Sequence, residues 1–306
     1  MMKRSTAIIL ALLMLTVGLL IALEIGSDRF QAPKQVAGEQ VRADGVKIVF
    51  LDIGQGDATF IQWPDGTQML IDCAKDARIL EALGRVMPFY DFDIDYLLVT
   101  HPDLDHYGGC VDVLEKYTVS NIVYNGYNEK LNDYWQSYWA AAWAEGAAYT
   151  EITDRTVWQL GNTKIDFLYP DHELAKDPNV PGFEKETGSN NSSLVFKLSL
   201  GDMDALFTGD AEAELEQFLI DTYRDELGAE VLKLGHHGSG SSTVQPFLDA
   251  VSPEYAVASA GKDNSYGHPS ARVIKRIERK GAQMLRTDLH GDVTIMLYPD
   301  EVVVVK

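Results

Sequence analysis

The sequence predicts a layered α/β domain over residues 45–306, with two sheets and helices outside them. Three observations carry this. Short apolar runs of strand length cluster in both halves of the stretch. Segments of helical length flank each cluster. Turn-forming pairs such as Asp65-Gly66, Gly161-Asn162 and Gly201-Asp202 fall between consecutive runs. The alternation by itself also suits a doubly wound sheet, so the clustering is what points to two sheets.

Taken in order, the chain opens with Lys3 and Arg4 ahead of an apolar run from about Thr6 to Ile25, uncharged until Glu24. Cations ahead of such a run keep the N-terminus cytoplasmic and place the remainder of the chain outside. The run approaches the roughly 20 residues that span a bilayer. It exceeds the core of a cleaved signal peptide, and no A-x-A site comes after it. Residues 1–26 therefore read as a signal anchor in preference to a cleaved signal peptide. A buried soluble helix is opposed by the run's apolar character on every face. The expected location is membrane-anchored with an extracytoplasmic domain, or secreted. Residues 27–44 carry Gly, Pro, Gln and charges without apolar period and read as a linker.

Residues 46–53 form the first expected strand, and 58–62 and 68–72 a hairpin around Pro64-Asp65-Gly66. A helix is expected over 79–87, a buried strand over 95–100, a helix from 109 to 116 and a strand over 121–124. Residues 131–148, rich in Trp, Tyr and Ala, read as a helical insertion whose aromatics either line a pocket or pack on the core. Two strands come next within 157–169, then a polar loop over 171–188. Strands at 193–200 and 205–208 pair as a hairpin. Helices at 211–227, 244–251 and 270–280 alternate with strands at 231–234 and 255–259. Strands at 283–286, 293–298 and 302–305 close the chain.

The formal charge of −20 disfavours a protein that wraps nucleic acid with a broad basic face. It does not exclude a nuclease, because bound cations supply positive charge locally. Cys73 and Cys110 are the only cysteines. Two cysteines make no framework, and both sit in apolar or Gly-rich segments, so unpaired buried thiols are expected.

Chemistry concentrates where apolar strands end. In Thr100-His101-Pro102-Asp103-Leu104-Asp105-His106, four metal-competent side chains occur within six residues directly after a strand. Imidazoles and carboxylates suit zinc, manganese or iron, and this set suffices to begin two adjacent sites. Gly108-Gly109 looks placed for close backbone approach. In Phe207-Thr208-Gly209-Asp210 a second strand ends in a carboxylate, whose two oxygens can bridge two ions. Gly-Asp turns are common, so this element gains meaning only beside the first. Lys233-Leu234-Gly235-His236-His237-Gly238-Ser239 offers one ligand and one group facing substrate. Asn190-Asn191-Ser192-Ser193 suits caps and turns, and equally the holding of a phosphate. His268, in Tyr266-Gly267-His268-Pro269, taken alone is an ordinary cap or surface residue.

These residues resemble a known family. THPDLDH is similar to the HxHxDH signature of the metallo-beta-lactamase superfamily, in the form HxDxDH. LDIGQGDA, LIDCA, NNSSLV, FTGDAE, KLGHHGS and YGHPS resemble, in order from about Val46 onward, the C-terminal hydrolase domain of the competence channel ComEC. The resemblance implies a four-layer αββα fold, one or two divalent metal ions, and hydrolysis, expected on phosphodiesters. By position, it places His101 and Asp103 on one ion and Asp105 and His106 on the second. Asp210 bridges, and His237 in preference to His236 completes the second site. Asp57 orients the ligand loop from behind. Asp105 or His236 is expected to shuttle the proton, and His268 and Ser239 to steady the substrate anion, with Asn190, Asn191 and Ser192 at the substrate. Asp103 stands where the signature has a histidine, and Asn190 or Asn191 where many members place another. Both departures weaken a zinc site and make manganese plausible beside it.

The expected substrates are thus a phosphodiester, nucleic acid among them. A small ester or a cell-surface choline-phosphate group is the rival, which an aromatic pocket at Tyr134, Trp135, Tyr138 and Trp139 would favour. An anchored, non-catalytic binding module is the third reading. ComEC has many membrane spans and this sequence one candidate, so DNA transport by this chain alone is not expected.

Overall fold

The computed structural model describes residues 42–127 and 132–305. The expected anchor at 1–26, and most of the linker, lie outside the described residues. No helix among those described is long and apolar enough to cross a membrane.

Among the described residues, fifteen strands form two sheets. The first sheet holds β1 (Val46–Phe50), β2 (Thr59–Gln62), β3 (Gln68–Ile71), β4 (Asp93–Leu98), β5 (Thr118–Tyr124) and β6 (Ala148–Glu151), with β14 (Val293–Leu297) and β15 (Val302–Val305) added beside β1. The second holds β7 (Thr156–Leu160), β8 (Thr163–Tyr169), β9 (Val195–Leu200), β10 (Met203–Phe207), β11 (Val231–Lys233), β12 (Tyr255–Ala258) and β13 (Gln283–Arg286). Each sheet is antiparallel on one side and parallel on the other. The parallel runs are β3–β4–β5–β6 and β10–β11–β12–β13.

Burial shows the layers. Along β1, Val46, Ile48 and Phe50 enter a cluster shared with Ile165, Phe167, Phe196, Phe207 and Val257 of the second sheet. Val49 and Leu51, on the opposite face, pack beneath helices with Ile79, Ala82, Leu83 and Val113. The period of two thus buries both faces of one strand. Phe207 stacks on Phe196 with centroids 4.8 Å apart and lies 6.1 Å from Phe50 across the sheets. Each such ring contributes roughly 1.5–3 kcal/mol by burial.

Helices α1 (Arg78–Val86), α2 (Leu104–Tyr107), α3 (Cys110–Lys116) and α4 (Asp133–Glu145) accompany the first sheet. Helices α5 (Ala213–Tyr223), α6 (Gln245–Val251) and α7 (Ala271–Lys280) cover the second, and α8 (Thr287–His290) comes after β13. The order helix, sheet, sheet, helix is the expected one.

Four readings of the sequence need amendment. Cys73 and Cys110 are joined as a disulfide, their Cα atoms 5.1 Å apart, where free thiols were expected. The end of β3 and the start of α3 meet because Gly108 and Gly109 pack against the backbone of residues 73–76, leaving no room for a side chain. Two of the four aromatics expected at a pocket go to the core instead. Trp135 and Tyr138 of α4 are buried in the core, with Trp135 4.7 Å and Tyr138 6.0 Å from the Tyr107 ring, while Tyr134 points to solvent. The insertion helix ends at Gly146, whose φ of 74° closes it, two residues short of the expected end, and Ala148–Glu151 forms a strand that the sequence did not predict. Residues 42–44 also pack on the domain instead of trailing from it: the Arg42 guanidinium lies 4.8 Å over the Tyr298 ring.

Candidate metal centre

Strands β3 and β4 in one sheet, and β10 and β11 in the other, end at the same place. Their C-terminal ends deliver Asp72, His101, Asp210 and the His236–His237 pair. Rigid parallel strands are a precise base for a constellation contributed from four loops.

The β4 end is fixed first. Thr100 donates its backbone N–H and its hydroxyl to the Asp72 carboxylate, each at 2.8 Å. The other bond to Asp72 comes from His106 Nδ1, 2.8 Å from Oδ2. With Nδ1 so held, His106 Nε2 points inward and lies 3.3 Å from Asp210 Oδ2. His237 repeats the arrangement from the other sheet. Its Nδ1 faces Asp57 Oδ1 at 3.6 Å, and its Nε2 lies 3.4 Å from Asp210 Oδ2 and 3.3 Å from Asp105 Oδ2. Asp57 is in turn ion-paired to buried Lys233 at 2.7 Å. The Asp72 carboxylate behind His106 sets its tautomer and aims its free nitrogen, while Asp57 faces His237 across a longer gap. His101 sits 4.1 Å from the His106 ring, with Nδ1 near the Thr100 and Ser193 hydroxyls and Nε2 3.9 Å from Asp103 Oδ2. Ser193 also accepts the Asp210 backbone N–H at 2.9 Å.

The backbone is unusual at these points. Asp72, Ala74, His236 and His237 take φ between 46° and 61°, a left-handed region that costs non-glycine residues roughly 1–3 kcal/mol each. Gly209, with φ 49°, lies so close to Ser193 that a Cβ would fall 2.7 Å from its hydroxyl. Packing therefore holds the loops in conformations they would not adopt alone.

The charges are concentrated and buried. Burial works against a charged His106, yet Asp210 and Asp72 hold it protonated well above the ordinary histidine range. Burial likewise opposes a charged His237, and Asp210 and Asp57 override it, pushing the group up to about 10. Asp210 is kept well below the carboxylate range, where burial would raise it, by His237 and His106. Asp105 is brought down to about 2 by His237 and His106 against the same burial. Burial and the neighbouring His106 lower His101. The pocket is a set of carboxylates that demands positive charge, which protons or a cation can provide.

A cation fits. His101 Nε2, His106 Nε2, both ring nitrogens of His237 and Asp210 Oδ1 are buried without a hydrogen-bond partner among the described residues, a costly state unless another group completes them. Asp57, His106, Asp210 and His237 each present one donor atom, all within 4.8 Å of one another. Imidazole and carboxylate donors are those zinc and manganese take.

His101, Asp105, His106, Asp210 and His237 thus converge, with Asp103 at the rim and Asp57 behind His237. His236 turns outward, 26% exposed, its Nδ1 2.9 Å from Glu212 Oε1 and 3.3 Å from the Asn190 amide. Its Nε2 faces Asp210 Oδ2 at 3.9 Å. The His268 ring lies 5.4 Å from that of His236 and 6.4 Å from that of His237. Ser239 is nearly buried and bonds the Ser241 hydroxyl. Asn191 and Ser192 are fully buried and bond inward, Asn191 to the Thr187 carbonyl and Glu212 N–H and Ser192 to the Ser189 carbonyl. Of the Asn190–Ser192 group only Asn190 reaches the mouth.

Asp72, Ser193, Glu212 and Lys233 were not singled out from the sequence. Asp72 carried the same signal as Asp210, a carboxylate closing an apolar strand. Glu212 and Lys233 flank recognised motifs but declare their roles only through contacts.

Residues 51–262 match the family model of the metallo-beta-lactamase superfamily. ComE operon protein 3 of Bacillus subtilis (strain 168) is 32% identical over 265 residues, covering 81% of this chain and 32% of that protein. Competence protein ComA of Neisseria gonorrhoeae is 34% identical over 198 residues, 65% of this chain and 24% of that protein. The chain therefore spans at most about a third of these relatives. Among solved structures, CmlA, a diiron beta-hydroxylase from Streptomyces venezuelae, superposes with a TM-score of 0.52 at 14% identity, over 85% of this chain and 55% of that one. That likeness shows the fold alone.

Proposed function

The chain belongs to the metallo-beta-lactamase superfamily, and on that premise we propose that this metallohydrolase cleaves phosphodiesters, nucleic acid among them, outside the cytoplasmic membrane. The observation that carries the proposal is the convergence of His106 Nε2 and His237 Nε2 on the Asp210 carboxylate, at 3.3 and 3.4 Å, with His106 oriented from behind by Asp72. His101 and Asp103 would hold one ion and Asp105, His106 and His237 a second, with Asp210 shared between them. The donor set suits zinc or manganese. Such cations supply Lewis acidity toward a phosphoryl oxygen and lower the pKa of water at the site. His236, oriented by Glu212 and Asn190 at the mouth, moves the proton, with Asp105 as the inner alternative. His268 and Ser239 line the substrate side.

The competence relatives support a nucleic-acid substrate. Burial of Trp135 and Tyr138 removes the aromatic support for a choline-type group. Lys3 and Arg4 ahead of the apolar run favour an extracytoplasmic domain held through a membrane anchor, and the Cys73–Cys110 disulfide suits an oxidising compartment.

The test is a hydrolysis screen of the purified full chain in detergent. Substrates are bis(p-nitrophenyl) phosphate, DNA, RNA, choline-phosphate esters and lactones. Phosphodiester turnover is expected, lost on chelation and restored by manganese or zinc. Turnover of lactones or choline-phosphate esters with phosphodiesters untouched would refute the proposal.

A further inference from the structure

Tyr266 stands beside His268 with 70% of its surface exposed. Its ring lies 5.8 Å from the His268 ring, inclined by 28°. The turn beneath is stitched by Asn264, whose amide donates to the Gly261 and His268 carbonyls at 2.8 and 2.7 Å and whose oxygen accepts the His268 N–H at 2.9 Å. A flat aromatic face is therefore held open at the mouth of the centre.

The segment around and beyond this turn reverses the molecule's charge. Between Lys262 and Lys280 six cations meet two acids, in a protein of net charge −20. Helix α7 begins where Ser270 donates its N–H to the Gly238 carbonyl at 2.9 Å, which ties its first turn to the loop carrying His236 and His237. Arg272, Lys275 and Arg279 are exposed and enter no ion pair among the described residues. Their spacing places them along one side of the helix, where they line a shallow hollow together with Glu278. Arg272 occupies the first helical turn, where the helix dipole disfavours a cation. Arg272 thus departs from a local rule with no ion pair to offset it, a kind of departure that concentrates at functional sites, while Arg279 in the last turn suits the dipole.

We propose that Tyr266 and the Arg272–Lys275–Arg279 side of α7 form a track that holds a single-stranded nucleic acid at the metal centre. The ring stacks on an unpaired base and the three cations track the phosphates. A duplex hides its base faces, so the track selects a single strand. The inference rests on the reading of the centre as a phosphodiesterase.

The experiment is fluorescence anisotropy of a labelled oligodeoxynucleotide against the full chain in detergent, with chelator present to prevent cleavage. The triple charge reversal R272E/K275E/R279E is expected to weaken binding at least about tenfold and to lower the slope of log affinity against log salt by about two. Tyr266→Ala weakens binding by about fivefold or more and Tyr266→Trp restores it. A duplex of the same sequence binds less tightly than the strand. Unchanged affinity and salt slope in the triple variant, or preference for duplex, overturns the track. The two readings fail separately. Wild-type protein that binds the strand through these residues but cleaves no phosphodiester refutes only the phosphodiesterase. Wild-type protein that cleaves bis(p-nitrophenyl) phosphate while the variants bind the strand normally refutes only the track.

Discussion

At the residue scale, the left-handed backbone of His236 and His237, with φ of 46° and 56°, separates two adjacent imidazoles. His237 is 1% exposed and faces Asp210 and Asp105, whereas His236 turns to Glu212 and the mouth. Loss of a ligand lowers metal content, while loss of a proton-transfer group lowers turnover. His237→Ala is therefore expected to be metal-poor, with some activity recovered in excess metal. His236→Ala is expected to be metal-replete and about 10²–10⁴-fold slower in kcat. Elemental analysis beside steady-state kinetics checks this, and the reverse pattern exchanges the roles. The clustering of His101, Asp105 and His106 was legible because the three fall within six residues after one strand. Asp72 was not, because its bond to His106 joins residues 34 apart and exists only once β3 and β4 pair.

At the element scale, strand β8 carries Asp166, buried and held by Arg155 at 3.0 Å and Lys164 at 3.0 Å. Burial would raise this carboxyl, and the bonds from Arg155 and Lys164 bring it below its ordinary value. The contribution is therefore present above the unfolded value near 3.8 and is lost as pH falls through the lower folded one. Asp166→Asn is expected to cost about 1–2 kcal/mol at pH 7, tempered because Arg155 and Lys164 reach solvent. The deficit should shrink below about pH 4. Urea unfolding of both proteins across that range checks it, and a deficit independent of pH would remove the ionic part of the account. Strands and hairpins were legible where alternation and turn pairs coincide, as at 157–169. Strand β6 was not, because nothing in Ala148–Glu151 outweighs the helical pattern before it until Gly146 is seen to end α4. The disulfide was equally hidden, since Cys73 and Cys110 meet only through the close approach of Gly108 and Gly109.

At the scale of the whole molecule, two half-parallel sheets face each other, and the C-terminal ends of their parallel strands share one site. That arrangement explains why ligand motifs lie more than a hundred residues apart yet act as a unit, and why the layered fold could be read from strand clusters before the site was built. It also makes Asp210 the pivot, because both His106 and His237 point at its carboxylate, one from each half. Divalent metal is expected at this junction above all. The direct measurement is the metal content of purified wild-type protein and Asp210→Ala by elemental analysis, with circular dichroism to verify the fold. One or two zinc or manganese ions per wild-type chain, and a folded Asp210→Ala variant that has lost metal and activity, is the predicted result. A folded variant that binds metal at the wild-type stoichiometry with full turnover would contradict it.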